Sequence, residues 1–164
     1  MTRLRIGQGF DAHRFLTGRE LRLCGLSIPG EVGLAGHSDA DVGLHAVTDA
    51  ILGALARGDL GEHFPPSDPQ WKGADSKVFL DQALELAADD GYRLVNCDLT
   101  LIGERPLVGP FRERLRGSLA EILGVDINQV SVKATTTEGL GFAGRGEGLA
   151  ALAVVLLEER HEHE

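Results

Sequence analysis

At 164 residues with 43% hydrophobic content, the chain is long enough for one domain with its own core and needs no disulfide framework. A net charge of −9 argues against nucleic acid, which is held by clustered Lys and Arg, and no apolar run approaches the roughly 20 residues that span a bilayer. Cys24 and Cys97 form no metal-type pair and suit a reducing cytoplasm, and no apolar stretch follows the basic N-terminus as in a signal peptide.

Residues 3–10 alternate, Leu4 and Ile6 against Arg3 and Arg5, and predict a strand. A second strand is expected over residues 21–28, ended by Pro29-Gly30. A helix is expected from about Asp39, capped by Ser38 with Asp41 three residues on, carrying Leu44, Val47, Ile51 and Leu55 on one face and stopping at Gly58. Another runs over about 76–90, with Phe79, Ala83, Leu86 and Ala87 inward and Gly91 as its stop. Residues 93–102 alternate as a strand, with Val95, Cys97, Leu99 and Leu101 on one face. Pro110 opens a helix with a stripe of Phe111, Leu115, Leu119 and Ile122, closed by Gly124. Residues 130–136 predict a strand with Val132 and Ala134 facing in. Residues 148–157 are almost continuously apolar, as in a central strand or one buried in an oligomer. The order implies a two-layer α/β sandwich, a mixed sheet with helices on one side, in a single domain over residues 1–164 with a frayed tail from 158.

On so acidic a chain, an anionic ligand requires a local cation. Asp11 and His13, two apart on extended chain just past the first strand, point to the same side. His45 lies one turn into the first expected helix, beside its apolar stripe. Two imidazoles and a carboxylate are the ligand set of many catalytic zinc sites, which keep a fourth position open. An Asp-x-His also arises by chance, and a helical His beside an apolar face is commonly a core residue. Asp49, four residues after His45, either orients it or is a solvated helix charge. His37-Ser38-Asp39-Ala40-Asp41 sets small and polar residues at a helix start, where free N–H groups favour anions, or is a cap alone. Residues 133–148, KATTTEGLGFAGRGEG, are the most distinctive stretch. Their hydroxyls, N–H groups and Arg145 could hold phosphates, with Glu138 on a divalent cation; the plain alternative is a surface loop. The G-x-G-x-x-G spacing at 139–144 opens no helix in a βαβ unit and is no dinucleotide fingerprint.

Taken in order, GFDAH, HSDAD leading to LHAVTDA, DLG, FPPSDP, KGADS and VKATTTEGLGFAGRGEG resemble the 2-C-methyl-D-erythritol 2,4-cyclodiphosphate synthase family of the methylerythritol phosphate pathway to isoprenoids. The resemblance covers about residues 5–156. It implies a cytoplasmic homotrimer with sites between subunits, one zinc per subunit on Asp11, His13 and His45, and magnesium or manganese on Glu138. It implies that His37 and Thr136 stabilise the transition state. It places Ala12, His37 and Ser38 on substrate beside the metal ligands, and Asp59, Leu60, Gly61, Phe64, Pro65, Pro66, Ser67 and Asp68 around the sugar alcohol. By the same match, Gly103, Glu104, Arg105, Pro106, Leu107, Val108 and Gly109 hold cytosine, and Thr135, Thr136, Thr137, Glu138, Phe142 and Arg145 the diphosphate.

The implied reaction is a phosphorus–oxygen lyase step. The 2-phosphate of 4-diphosphocytidyl-2-C-methyl-D-erythritol 2-phosphate attacks the β-phosphorus of its own CDP group, closing a cyclic diphosphate and releasing CMP. Pro66 stands where many relatives carry Asp, with Asp68 as the substitute carboxylate, and Leu107 stands where Lys is common. An isoprenoid diphosphate on the trimer axis near Arg145 is a further implied ligand. The rival readings are a zinc phosphohydrolase and a non-catalytic nucleotide-diphosphate binding protein.

Overall fold

The computed structural model describes residues 3–160. In chain order it contains β1 (Leu4–Thr17), β2 (Leu21–Leu23), β3 (Leu26–Ile28), β4 (Val32–Leu34), α1 (Val42–Leu55), α2 (Leu60–His63), α3 (Lys77–Asp89), β5 (Tyr92–Ile102), α4 (Arg112–Leu123), β6 (Val130–Thr135), α5 (Gly141–Gly144) and β7 (Gly148–Glu159). Five strands form one sheet in the order β4-β1-β7-β5-β6, while β2 and β3 form a separate hairpin. The pair β5–β6 is parallel and the pairs β1–β7 and β5–β7 are antiparallel, so the sheet is mixed as expected. No helix of the described residues is long and apolar enough to cross a membrane.

The alternation in β1 is real, but its apolar face is the uncovered one. Leu4, Ile6 and Phe10 are exposed, while Gly7 and Gly9 face α1. A Cβ on Gly7 would lie 1.7 Å from the Ala50 carbonyl oxygen, and one on Gly9 would lie 1.9 Å from that of Ala46. Backbone therefore packs on backbone, and α1 is buried nearly all round, with only Asp49 and Gly53 less covered. That explains an apolar content wider than the single stripe read from periodicity.

Several boundaries differ from expectation for local reasons. β1 continues to Thr17, so Asp11 and His13 lie within the strand instead of beyond it. The expected strand over 21–28 is a hairpin, because Cys24 and Gly25 both take positive φ, at 50° and 80°. Asp41, not Ser38, caps α1: its wholly buried carboxylate accepts from Leu44 N at 3.0 Å and also from the N–H groups of Cys24 and Gly25. The helix stops at Ala56, in the left-handed region, two residues before Gly58. A bulge between Leu94 and Asn96 turns Leu94 inward in place of Val95. Ala134 is exposed. The tail is ordered further than expected: Glu158 pairs with Leu4 and Glu159 with Tyr92 in β7, and residues 161–164 lie outside the described residues.

Candidate metal centre

Asp11 and His13 sit on one side of β1 because strand side chains repeat every two residues. The Gly9–Ala46 approach brings the first turn of α1 onto that side, and His45 with it. His13 Nε2 lies 2.8 Å from Asp11 Oδ2, His45 Nδ1 lies 3.0 Å from the same oxygen, and the two ring nitrogens are 3.1 Å apart. Ligands about 2.0–2.1 Å from a tetrahedral ion stand roughly 3.3 Å apart, so the three atoms are spaced for one metal. The other nitrogen of His13 donates to the Ala35 carbonyl at 2.8 Å, which leaves Nε2 bare on the metal side.

Burial pushes the Asp11 carboxyl up, but the adjacent imidazoles of His13 and His45 outweigh it and hold it well below the usual carboxylate range. Burial likewise pushes His13 down, and its bond to Asp11 more than compensates, so its pKa is raised. The lowered Asp11 carboxyl favours the anion that binds a cation, whereas the raised His13 favours its imidazolium, so a metal binding at Nε2 displaces that proton.

The three residues open on a cavity of about 180 Å³, lined also by His37, Ser38, Leu60, Phe64, Pro66, Trp71 and Phe79. Phe64 packs on Phe79 with ring centroids 4.5 Å apart, and edge-on to Trp71 at 5.2 Å. This wall is apolar, and the rim at His37 is exposed. A larger groove of about 680 Å³ beside β6 and α4 contains none of the expected site residues.

The remaining expected residues fall into groups. Asp59 caps α2 through Glu62 N, Asp68 caps the turn after it through Gln70 N, and Gly61, Pro65 and Ser67 lie on the same segment. Asp68 also accepts from the Gln70 side-chain amide. Gly103 N donates to the Thr135 carbonyl, which joins the 103–109 loop to the end of β6. Arg105 covers the Phe15 ring at 4.8 Å, Leu107 is exposed, Val108 is buried in the core, and Glu104, Pro106 and Gly109 complete the loop. Thr136 accepts from Glu138 N, and Glu138 is exposed with φ of 52°. Phe142 meets Ala12 and His13 in a second small cavity, while Arg145 is paired with Glu147 at 3.2 Å.

The sheet separates two of these groups. Asp11 pairs with Ala151, Ala151 with Leu101, and Leu101 with Ala134, so β6 lies three strand spacings, roughly 14 Å, from β1. Thr135 pairs with Ile102, whose side chain alternates with those of the core-facing Leu99 and Leu101. It therefore faces the uncovered side, opposite Asp11 and His13.

Asp49 neither orients His45 nor is a free charge: it accepts from Leu60 N at 2.7 Å and ties α1 to α2. The site also contains residues to which the sequence reading gave no role. Arg19 donates to the carbonyls of Gly36 and Ser38 and so holds the loop bearing His37. Ser76 contacts His45, and Trp71 and Phe79 form the wall. KGADS carried the only signal for Ser76.

An α/β fold of mixed sheet with two histidines and a carboxylate at the mouth of a cavity defines a candidate metalloenzyme. The chain belongs to the YgbB family, whose model matches residues 4–158. It is 59% identical over 154 residues to the 2-C-methyl-D-erythritol 2,4-cyclodiphosphate synthase of Cereibacter sphaeroides, covering 94% of this chain and 97% of that one. It is 58% identical over 154 residues to the bifunctional enzyme IspD/IspF of Ruegeria sp., again across 94% of this chain but only 40% of that longer protein. A solved 2C-methyl-D-erythritol-2,4-cyclodiphosphate synthase in its CDP-bound form matches with a TM-score of 0.86 at 43% identity, covering 93% of this chain and 99% of its own. The chain is an enzyme of this cyclodiphosphate synthase family.

Proposed function

We propose that the chain converts 4-diphosphocytidyl-2-C-methyl-D-erythritol 2-phosphate to 2-C-methyl-D-erythritol 2,4-cyclodiphosphate and CMP in isoprenoid precursor synthesis. The observation that carries this reading is the convergence of Asp11, His13 and His45 beside His37 and Ser38, in a chain so similar to a cyclodiphosphate synthase along its length.

Asp11, His13 and His45 would hold zinc, and Glu138 would hold magnesium or manganese. Bound cations of this kind supply Lewis-acid charge that stabilises a phosphoryl transition state. The chain's own residues do the rest. His37 and Ser38 offer donors at the cavity rim to the 2-phosphate, and the Phe64, Trp71 and Phe79 wall keeps water from the sugar alcohol. Thr136 and the N–H groups around it bind the diphosphate. Holding both phosphates in one pocket makes the attack intramolecular. The 2-phosphate oxygen bonds to the β-phosphorus as the bond from that phosphorus to the bridging oxygen breaks, and CMP leaves with that oxygen.

The active unit is a homotrimer with sites between subunits. Three features support it: the open sheet face carries exposed Leu4, Ile6, Phe10 and Val154; the cavity within one chain is only about 180 Å³; and Thr135 faces away from the metal residues. The CDP-bound relative supports nucleotide binding, for which residues 103–109 and 135–138 are the proposed contacts. Neither rival reading gains support from the site. A phosphorus NMR time course with zinc, magnesium and substrate tests the proposal. Equal CMP and cyclic diphosphate are expected, whereas CMP with linear phosphates would establish a hydrolase instead.

A further inference from the structure

The KGADS segment, residues 72–76, has no part in the function argued so far, yet it is tied along its length to the loop preceding α1. Gly73 N donates to the His37 carbonyl at 2.8 Å, and Asp39 N donates to the Ala74 carbonyl at 3.0 Å. Ser76 N donates to Asp39 Oδ2 at 3.1 Å, and the Ser76 hydroxyl contacts Asp39 Oδ1. Ser76 is completely buried, and its Oγ lies 2.8 Å from His45 Nε2.

Counting protons orders this chain of contacts. A carboxylate only accepts, and Asp39 already accepts from Asp41 N at 3.0 Å. The single Ser76 proton therefore points to Asp39. The Ser76 oxygen is left as an acceptor, and His45 Nε2 at 2.8 Å is the nearer donor to it, ahead of Ser38 Oγ at 3.4 Å. His45 then carries its proton on Nε2 and offers a bare Nδ1 to a cation shared with Asp11 and His13; the Asp11 carboxylate, 3.0 Å from Nδ1, is the one acceptor that competes for that proton. Ser38 Oγ, 3.1 Å from Nε2 and 3.4 Å from Ser76 Oγ, accepts from Ala40 N and keeps its own hydrogen, and it sits farther from both atoms than they do from each other.

We propose that Ser76 and Asp39 are positioning residues that lock His45 in the Nε2–H tautomer and so aim Nδ1 at the cation. They do for His45 what the Ala35 carbonyl does for His13. The inference rests on the metal-centre reading for its function, but not for the tautomer itself.

Two measurements test it. In chelator-treated, ¹⁵N-histidine-labelled protein at about pH 8, above the ordinary histidine range, NMR should show His45 as the Nε2–H tautomer. In Ser76→Ala that signature should give way to a tautomer mixture, and zinc affinity measured by chelator competition should fall about 10–100-fold. A wild-type His45 protonated on Nδ1 overturns the proposal, whether or not the variant folds. So does a Ser76→Ala protein with unchanged tautomer and unchanged zinc affinity. If wild type shows the Nε2–H tautomer but retains no zinc, the metal reading fails while the Ser76 contact stands.

Discussion

Gly9 lies directly beneath Ala46, so close that a Cβ on the glycine would fall 1.9 Å from the alanine carbonyl oxygen. That contact seats α1 on β1 and sets His45 beside Asp11. Gly9→Ala must push the helix away, at a cost of about 3 kcal/mol or more, and should lower the melting temperature by roughly 6 °C or more. The same substitution at Gly53, on the less covered side of α1 where the nearest atom would be 3.6 Å away, should instead stabilise by about 0.5–1 kcal/mol. Calorimetry on the two variants checks this pair; equal effects would mean that the close approach does not position the helix.

His45→Ala removes one of three converging donors. Zinc affinity should fall more than about 100-fold and turnover should vanish, with circular dichroism still showing the fold. Full zinc occupancy in the variant, measured by elemental analysis, would remove His45 from the ligand set.

Glu138 is exposed and its side chain makes no hydrogen bond or ion pair among the described residues, so Glu138→Gln should alter stability by no more than about 0.5 kcal/mol. Zinc should stay bound, while the apparent magnesium affinity read from activity titrations weakens about tenfold or more. An unchanged magnesium response would leave the second cation without its proposed ligand.

Ile6 is 73% exposed on the open sheet face. On the proposed trimer, whose interface would use this face, Ile6→Asp should give a folded monomer in light scattering and abolish turnover, because a charge there opposes burial against a neighbour. A trimer that survives the change would place the interface elsewhere.

Asp49 gives a pH signature. Burial raises its carboxyl pKa above the ordinary value, against the lowering effect of the Leu60 N–H. The folded state therefore holds this proton more tightly than the unfolded chain does. Its favourable contribution is present below the unfolded pKa and lost as pH rises through the folded one. Asp49→Asn, which stays neutral, should gain melting temperature relative to wild type at neutral pH compared with its difference at acid pH. A difference independent of pH would show that the carboxyl is not strained by burial.

Much of the centre was legible before any coordinates. Asp11 and His13 share a side because strand period is two, and α3 and α4 end near Gly91 and Gly124, where periodicity and stop signals agree. Ser76 was not legible as a partner of His45. The separation of 31 positions is bridged only when the 37–39 and 73–76 segments pair, and nothing local marks that pairing.

By itself, the sequence determined the periods, the main helices, the candidate ligands Asp11, His13 and His45, and the order of motifs that resembles one family. Only the tertiary structure decided which face of β1 is covered, that Asp41 and not Ser38 starts α1, and that Thr135 and the metal residues occupy opposite faces of the sheet. The reason is physical. Periodicity records that a strand has two unlike faces, but the covered face is chosen by how closely another layer can approach. Here Gly7 and Gly9 admit the helix backbone, so the glycine face is buried and the face bearing Leu4, Ile6 and Phe10 is left open.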